Sequence, residues 1–265
     1  MLLAPKKGFI FLALPKTAST SIEDAFWPYS EGGMRRIPFK HTRYDQFQQF
    51  LQPFLASQGF PRTSYEVVCV FRELIDWLSS WWRYRSREEL ADPSHRNHRN
   101  YAGHVPFEQF ARTYMKYHSG EPLVIPDERF ARLGRPSRFV QPRPGQPQVD
   151  RVFRYDRLDL LVEFLCKKVG REVEVDVTNF SPNRLSSMSE ECNRELHEFF
   201  APEYRIYERA NQENTDLRPS GIEVREKVRR EKRLEKIHAA QRRAKEGSLP
   251  DFIVIGTQKG GTSDF

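Results

Sequence analysis

"FIFLALPKTASTSIEDAF", residues 9–26, sets an apolar run directly against a hydroxyl-rich turn that carries one lysine. The run is short, continuous and closed by Pro15, the pattern of a strand buried on both faces. The hydroxyls after it suit the cap of a helix starting near Ser19 or Thr20, with Glu23 in its first turn. A strand, a turn and a helix in that order present unpaired backbone N–H groups where the helix begins. Ala18 and Ser19 are small enough for the backbone to wrap an anion closely. Thr17, Thr20 and Ser21 add hydroxyl donors, and Lys16 adds a point charge. The stretch therefore reads as a phosphate or sulfate cradle, or more simply as a capped helix after a strand. The Walker A order G-x-x-x-x-G-K-[ST] is not met, because the lysine precedes the small residues.

Working outward, "RRIPFKH" (35–41) suggests an edge strand because of Pro38. Residues 43–59 have helical periodicity, with Phe47, Phe50, Leu51, Phe54 and Leu55 expected along one buried face. "YEVVCVF" (65–71) is a second buried strand running into a long helix over 72–90. Residues 92–104 read as a mobile surface loop, followed by a helix over 106–118 and a Pro/Gly/Arg-rich passage over 119–148. A strand over 149–155 and a helix over 158–170 ended by Gly170 come next, then a helical end broken near Pro202. Apolar strands alternating with helices predict an α/β domain with a central parallel sheet flanked by helices.

The chain of 265 residues carries a formal charge of +7. Residues 222–246 contain ten Lys/Arg against five Glu, so most of the excess sits in one segment with the spacing of a solvated helix. A nucleic-acid protein would instead carry its basic stripe on a folded face, and no nucleic-acid partner is expected. Three scattered cysteines make neither a disulfide framework nor a metal spacing. The start of the chain lacks the pattern of a signal peptide, and no stretch reaches membrane-spanning length. A cytoplasmic location is expected. The organisation predicted is a domain over 1–218, a charged helical linker over 219–248, and the opening of a second domain over 249–265, where "FIVIGTQKGGTS" (252–263) repeats the strand-to-turn pattern.

A second constellation comes after the strand at 65–71: Arg72, then Ser80 eight positions later, then Trp82. A guanidinium suits a phosphate dianion in two-pronged geometry, and Ser80 returns to nearly the same helix face two turns on. Together the two constellations resemble the sulfotransferase family that uses 3′-phosphoadenosine 5′-phosphosulfate. That family's 5′-phosphosulfate loop reads roughly P-K-T-G-G-T-S, against Pro15, Lys16, Thr17, Ala18, Ser19, Thr20 and Ser21 here. Its 3′-phosphate motif reads R-x-P-x-x-R-x-x-S-x-[YW], with Leu74 and Trp77 standing here for the proline and the second arginine. The likeness covers about residues 7–210 and is strongest to the group that acts on glycans and carries a histidine after the first helix. The tail matches the same loop through Lys259, Gly260, Gly261, Thr262 and Ser263.

The resemblance implies a three-layer P-loop-like fold and transfer of a sulfuryl group to an acceptor hydroxyl on a saccharide or glycolipid. It implies Lys16 and residues 17–21 at the 5′-phosphosulfate, and Arg72 and Ser80 at the 3′-phosphate. It implies His41 as base, with Glu23 as the alternative, and no metal. His95, His98 and His104 read as loop residues near the acceptor. A nucleotide kinase of P-loop type, or a relative that binds nucleotide without turnover, are the competing expectations.

Overall fold

Strand β2 (Phe9–Leu12) is the centre of the sheet, and its side chains show why the sequence around it is uniformly apolar. Phe9 and Phe11 enter one buried cluster with Val68, Val70 and Phe153, while Ile10 and Leu12 enter another with Val67, Cys69 and Val152. Alternation in a strand sends neighbouring residues to opposite faces, so a strand covered on both sides has no polar position to spare. The computed structural model describes residues 1–37, 39–143, 148–176, 186–212, 214 and 216. The chain divides into units Met1–Val224 and Arg225–Phe265, and every described residue belongs to the first. The expected linker over 219–248 and the second loop over 249–265 lie outside the described residues.

The architecture is α/β, with a mixed five-stranded open sheet of order β3-β1-β2-β4-β5. The strands are β1 (Leu2–Ala4), β2, β3 (Gly32–Gly33), β4 (Glu66–Phe71) and β5 (Arg151–Arg154). Strands β2, β4 and β5 run parallel, with Leu12 opposite Cys69 and Cys69 opposite Val152. The expectation of a parallel sheet holds for these three. It fails at the edge, where β1 pairs antiparallel with both β2 and β3. Residues 35–41 do not form the expected edge strand: Phe39–His41 is a 3-10 turn, and the edge is taken by Gly32–Gly33. A Cβ on Gly33 would collide with the Met1 carbonyl, so only glycine lets that edge close.

The helices are α1 (Ser19–Phe26), α2 (Tyr44–Gln46), α3 (Gln52–Ser57), α4 (Leu74–Arg85), α5 (Phe107–Ser119), α6 (Ser137–Val140), α7 (Leu158–Val169), α8 (Glu190–Phe199) and α9 (Ala201–Gln212). Residues from α1 and α7 pack in the cluster on one sheet face; residues from α2, α3, α6 and α9 pack in that on the other. A third cluster joins α4, α5 and α8 through Trp77, Trp82, Phe110, Tyr114 and Phe200. Gly170, at φ 77°, ends α7 in the left-handed conformation that its sequence position suggests.

One helix departs from its periodicity. A π-helical turn over Phe47–Leu51 joins α2 to α3, and its extra residue rotates the next turn by roughly 100°. Phe47 and Leu55 stay buried, but Phe50 and Phe54 turn outward, 64% and 56% exposed. The segment 92–104 is also tied down more firmly than its polarity suggests. Ala102 donates its N–H to the Arg85 carbonyl at 2.9 Å, and Trp82 Nε1 donates to the Val105 carbonyl at 2.8 Å. All three cysteines are buried thiols outside any disulfide, and among the described residues no helix is long and apolar enough to cross a membrane.

Candidate functional site

The C-terminal ends of three parallel strands meet at one cleft of about 450 Å³, the position where open α/β sheets bind ligands. After β2 come Pro15, Lys16, Ala18, Ser19 and Thr20; after β4 comes Arg72; after β5 comes Tyr155; all line it. The two turns singled out in the sequence are in direct contact. Arg72 Nη1 donates to the Lys16 carbonyl at 3.1 Å, and Trp77 Nε1 donates to the Pro15 carbonyl at 3.0 Å. Trp77, where the resembled motif has an arginine, thus fastens α4 to the lysine turn, while Leu74 is buried in the third cluster.

The lysine turn is bent in a way side chains resist. Lys16 and Ala18 both have positive φ, 68° and 55°. Such backbone costs of order 1 kcal/mol for a residue with a Cβ. The bend leaves α1 without a side-chain cap, since Ala18 at the cap position has no oxygen to offer. The first N–H groups of α1 therefore open on a cleft with the positive end of the helix dipole.

Of the hydroxyls in the turn, Ser19 and Thr20 line the cleft. Thr20 Oγ1 accepts from Lys40 Nζ at 2.8 Å, which leaves its own hydrogen to donate. Thr17 does not serve as a donor there: it is fully buried and its Oγ1 donates to the Leu14 carbonyl at 2.8 Å. Ser21 is buried and does not line the cleft. Ser80 lines the cleft from α4, as Arg72 does from the turn before that helix. The Arg72 fork is engaged by Asp76, through Nε at 2.5 Å and Nη2 at 2.8 Å, and its plane lies 4.1 Å from the centre of the Tyr155 ring.

His41 lines the cleft from the turn after the β3 edge. Its Nδ1 is 2.7 Å from the Ala13 carbonyl. A carbonyl only accepts, so Nδ1 carries the hydrogen and Nε2 keeps a lone pair. Burial pulls the ring below its ordinary pKa, with the Ala13 hydrogen bond opposing, so the imidazole is neutral at pH 7. Glu23 lies elsewhere. It is fully buried, with one carboxylate oxygen at the Met1 ammonium and the other 2.8 Å from Lys40 Nζ, and it does not line the cleft. Its role is to anchor Lys40, which reaches the cleft.

The aromatic and basic residues of 81–104 and 129–143 read in the sequence either as the lining of a groove for an anionic sugar or lipid headgroup or as a solvated surface; of these, Trp81, Tyr84, Arg85 and Arg87 line the cleft, with Asn97 and Asn100. Lys16 Nζ lies 4.7 Å from the centre of the Tyr84 ring and 5.9 Å from that of Trp81, and Arg87 lies 4.9 Å from Tyr84. The signal was present in "SSWWRYRSR" (79–87), where aromatic and basic residues interleave. Five Lys/Arg and no carboxylate side chain line the cleft among the described residues. Burial and the charges of Arg87, Arg72 and Arg83 bring Lys16 down from 10.5 to about 7. Among the described residues no group of three metal-ligating side chains comes together. His95 Nδ1 accepts the Asn97 N–H, and His98 Nδ1 donates to the Leu90 carbonyl. Comparison with protein-family models, with curated proteins and with solved structures finds no match.

Proposed function

We propose that the chain is a sulfotransferase that moves a sulfuryl group from 3′-phosphoadenosine 5′-phosphosulfate to an acceptor hydroxyl on a saccharide or glycolipid. The observation that carries this reading is the contact between the lysine turn and Arg72, at adjacent strand tips in a cleft lined, among the described residues, by five Lys/Arg and no carboxylate. A ligand with negative charge at two ends fits such a lining better than a neutral one. The three-layer P-loop-like arrangement belongs to the same proposal and draws support from the helices on both sheet faces.

The residues present fit the donor. The uncapped N–H groups of α1, with Ser19 and Thr20, suit a 5′-phosphosulfate; Arg72 and Ser80 suit a 3′-phosphate, with Asp76 giving way on the fork. The donor supplies an activated sulfuryl group. His41 Nε2 takes the proton of the acceptor hydroxyl as that oxygen bonds sulfur and the bond from sulfur to the phosphate oxygen breaks. Lys16 stands where the electron pair is left, and positioning with charge stabilisation does most of the work.

The test is binding of adenosine 3′,5′-bisphosphate against ATP, with transfer from labelled phosphosulfate to a panel of saccharides and glycolipids. Selective binding of the bisphosphate, lost in both Lys16→Ala and Arg72→Ala, supports the reading. Preference for ATP, or unchanged bisphosphate binding in both variants, overturns it.

A further inference from the structure

Arg85 is the buried charge that the donor site leaves unexplained. It is 6% exposed, lines the cleft, and spends Nη1 on the Phe130 carbonyl. Its Cζ lies 5.2 Å from the centre of the Trp81 ring, and among the described residues no carboxylate forms an ion pair with it. Withdrawing a guanidinium from water without an anion is costly, and here burial draws its pKa down to about 10. Beside it, Trp81 Nε1 is buried with no acceptor among the described residues. Among the described residues the Arg85 guanidinium thus has a hydrogen-bond acceptor but no counter-anion, and a ligand in the cleft can bring one.

Arg85's place at the end of α4 sets it beyond the groups assigned to the nucleotide's 3′-phosphate. A helix rises about 1.5 Å per residue, so Arg85 stands roughly 17 Å along α4 from the end next to Arg72 and about 8 Å beyond Ser80. Lys16 meets α4 between them, at Trp81 and Tyr84. With Lys16 marking the transferred group, Arg85 lies on the far side, where an acceptor must sit. Arg87, Asn97 and Asn100 line the cleft after it in the chain, and the Trp81 and Tyr84 rings offer faces on which the apolar side of a sugar packs.

Resting on the donor reading above, we propose that residues 81–100 form an acceptor subsite for an anionic saccharide, whose carboxylate or sulfate pairs with Arg85. The probes are p-nitrophenyl β-D-glucuronide, the corresponding glucoside and its 6-sulfate, titrated into the full chain with and without adenosine 3′,5′-bisphosphate. Wild type binds the two charged glycosides at least about tenfold more tightly than the neutral one, the scale of a charge-assisted hydrogen bond. Arg85→Gln abolishes that preference and changes bisphosphate affinity by less than about twofold, whereas loss of a phosphate contact costs about tenfold or more. Should Arg85→Gln not fold, Arg87→Gln serves instead and reduces the preference. Equal binding of charged and neutral glycosides by wild type overturns the subsite, as does an Arg85→Gln loss of bisphosphate affinity as large as its loss of glycoside affinity. Selection of charged glycosides by a chain that binds no bisphosphate keeps the subsite and overturns the donor reading instead.

Discussion

Raising the pH from 7 to 9 strips a proton from Lys16 in the ligand-free chain, and binding of adenosine 3′,5′-bisphosphate has to restore it. In the ligand-free chain Lys16 titrates near 7 rather than 10.5 because it is buried and faces Arg87, Arg72 and Arg83. A multiply charged anion in the cleft reverses that balance and returns the lysine toward its ordinary value. Below pH 7 the lysine is increasingly charged in both states and contributes no slope of its own. Above it, affinity falls by up to about tenfold per unit, hence up to about a hundredfold, or ~2.7 kcal/mol, by pH 9. His41 is held below its ordinary value and is already neutral in this window, and a phosphate monoester, with its second pKa near ~6, is already a dianion. Calorimetry in two buffers of different ionisation enthalpy counts the protons: close to one taken up at pH 8, falling to about half that at pH 7, where Lys16 is half charged. Lys16→Met binds weakly, with no slope and no uptake. A flat wild-type profile, or a Lys16→Met profile that keeps the slope, refutes the reasoning. The same lysine sets a sign for folding. Its folded pKa lies below the unfolded value of 10.5, so its burial penalty is full below about pH 7 and vanishes above 10.5. Lys16→Met should therefore melt at a higher temperature than wild type at pH 7.

Three further outcomes rest on the geometry. His41→Ala should cut turnover by roughly a hundredfold or more while bisphosphate affinity stays within about twofold, because Nε2 is assigned to the acceptor proton; equal losses in both make His41 a donor ligand instead. Glu23→Gln leaves the Met1 ammonium and Lys40 without their carboxylate and should destabilise the fold by about 3–5 kcal/mol, read by denaturant unfolding; a stable variant with lost turnover restores Glu23 as the base. Ala18→Gly relieves the left-handed φ of 55° and should stabilise the chain by about 1 kcal/mol, and a lowered melting temperature contradicts that account.

How much of the fold was legible in the sequence depends on which residues act locally. Buried strands announce themselves because both faces are apolar, and so β2, β4 and β5 were found where the runs stood. β1 was missed because three residues before Pro5 carry no periodicity, and its pairing with β2 is made by a turn over Pro5–Lys7. Phe50 and Phe54 were placed wrongly because periodicity assumes a constant turn, which the π-helical residues 47–51 break. At the site, Lys16, Ala18, Ser19, Thr20, His41, Arg72 and Ser80 do converge on one cleft. Thr17 and Glu23 look chemically able, and only their tertiary partners, the Leu14 carbonyl and the Met1 and Lys40 cations, reveal that they are spent inside the fold.

The departures from the resembled motif also acquire a physical reading. A glycine-rich loop reaches left-handed backbone at no cost; here Lys16 and Ala18 reach it against their Cβ atoms, and the turn must be held from outside. Trp77 supplies that hold through the Pro15 carbonyl, and Arg72 through the Lys16 carbonyl, both from the segment that opens α4. Replacing an arginine by Trp77 therefore exchanges a charge for a clamp. The positive charge is carried at the far end of α4 by Arg85, against the Trp81 ring, and just after it by Arg87, against the Tyr84 ring. A turn clamped this way is built before any ligand arrives, so the variant that separates the two functions of α4 is Trp77→Phe. It keeps an aromatic ring and removes the single hydrogen bond to Pro15. Weakened bisphosphate binding with charge selection at Arg85 intact is the expected result; bisphosphate affinity at the wild-type level would mean that the turn holds its shape without the clamp.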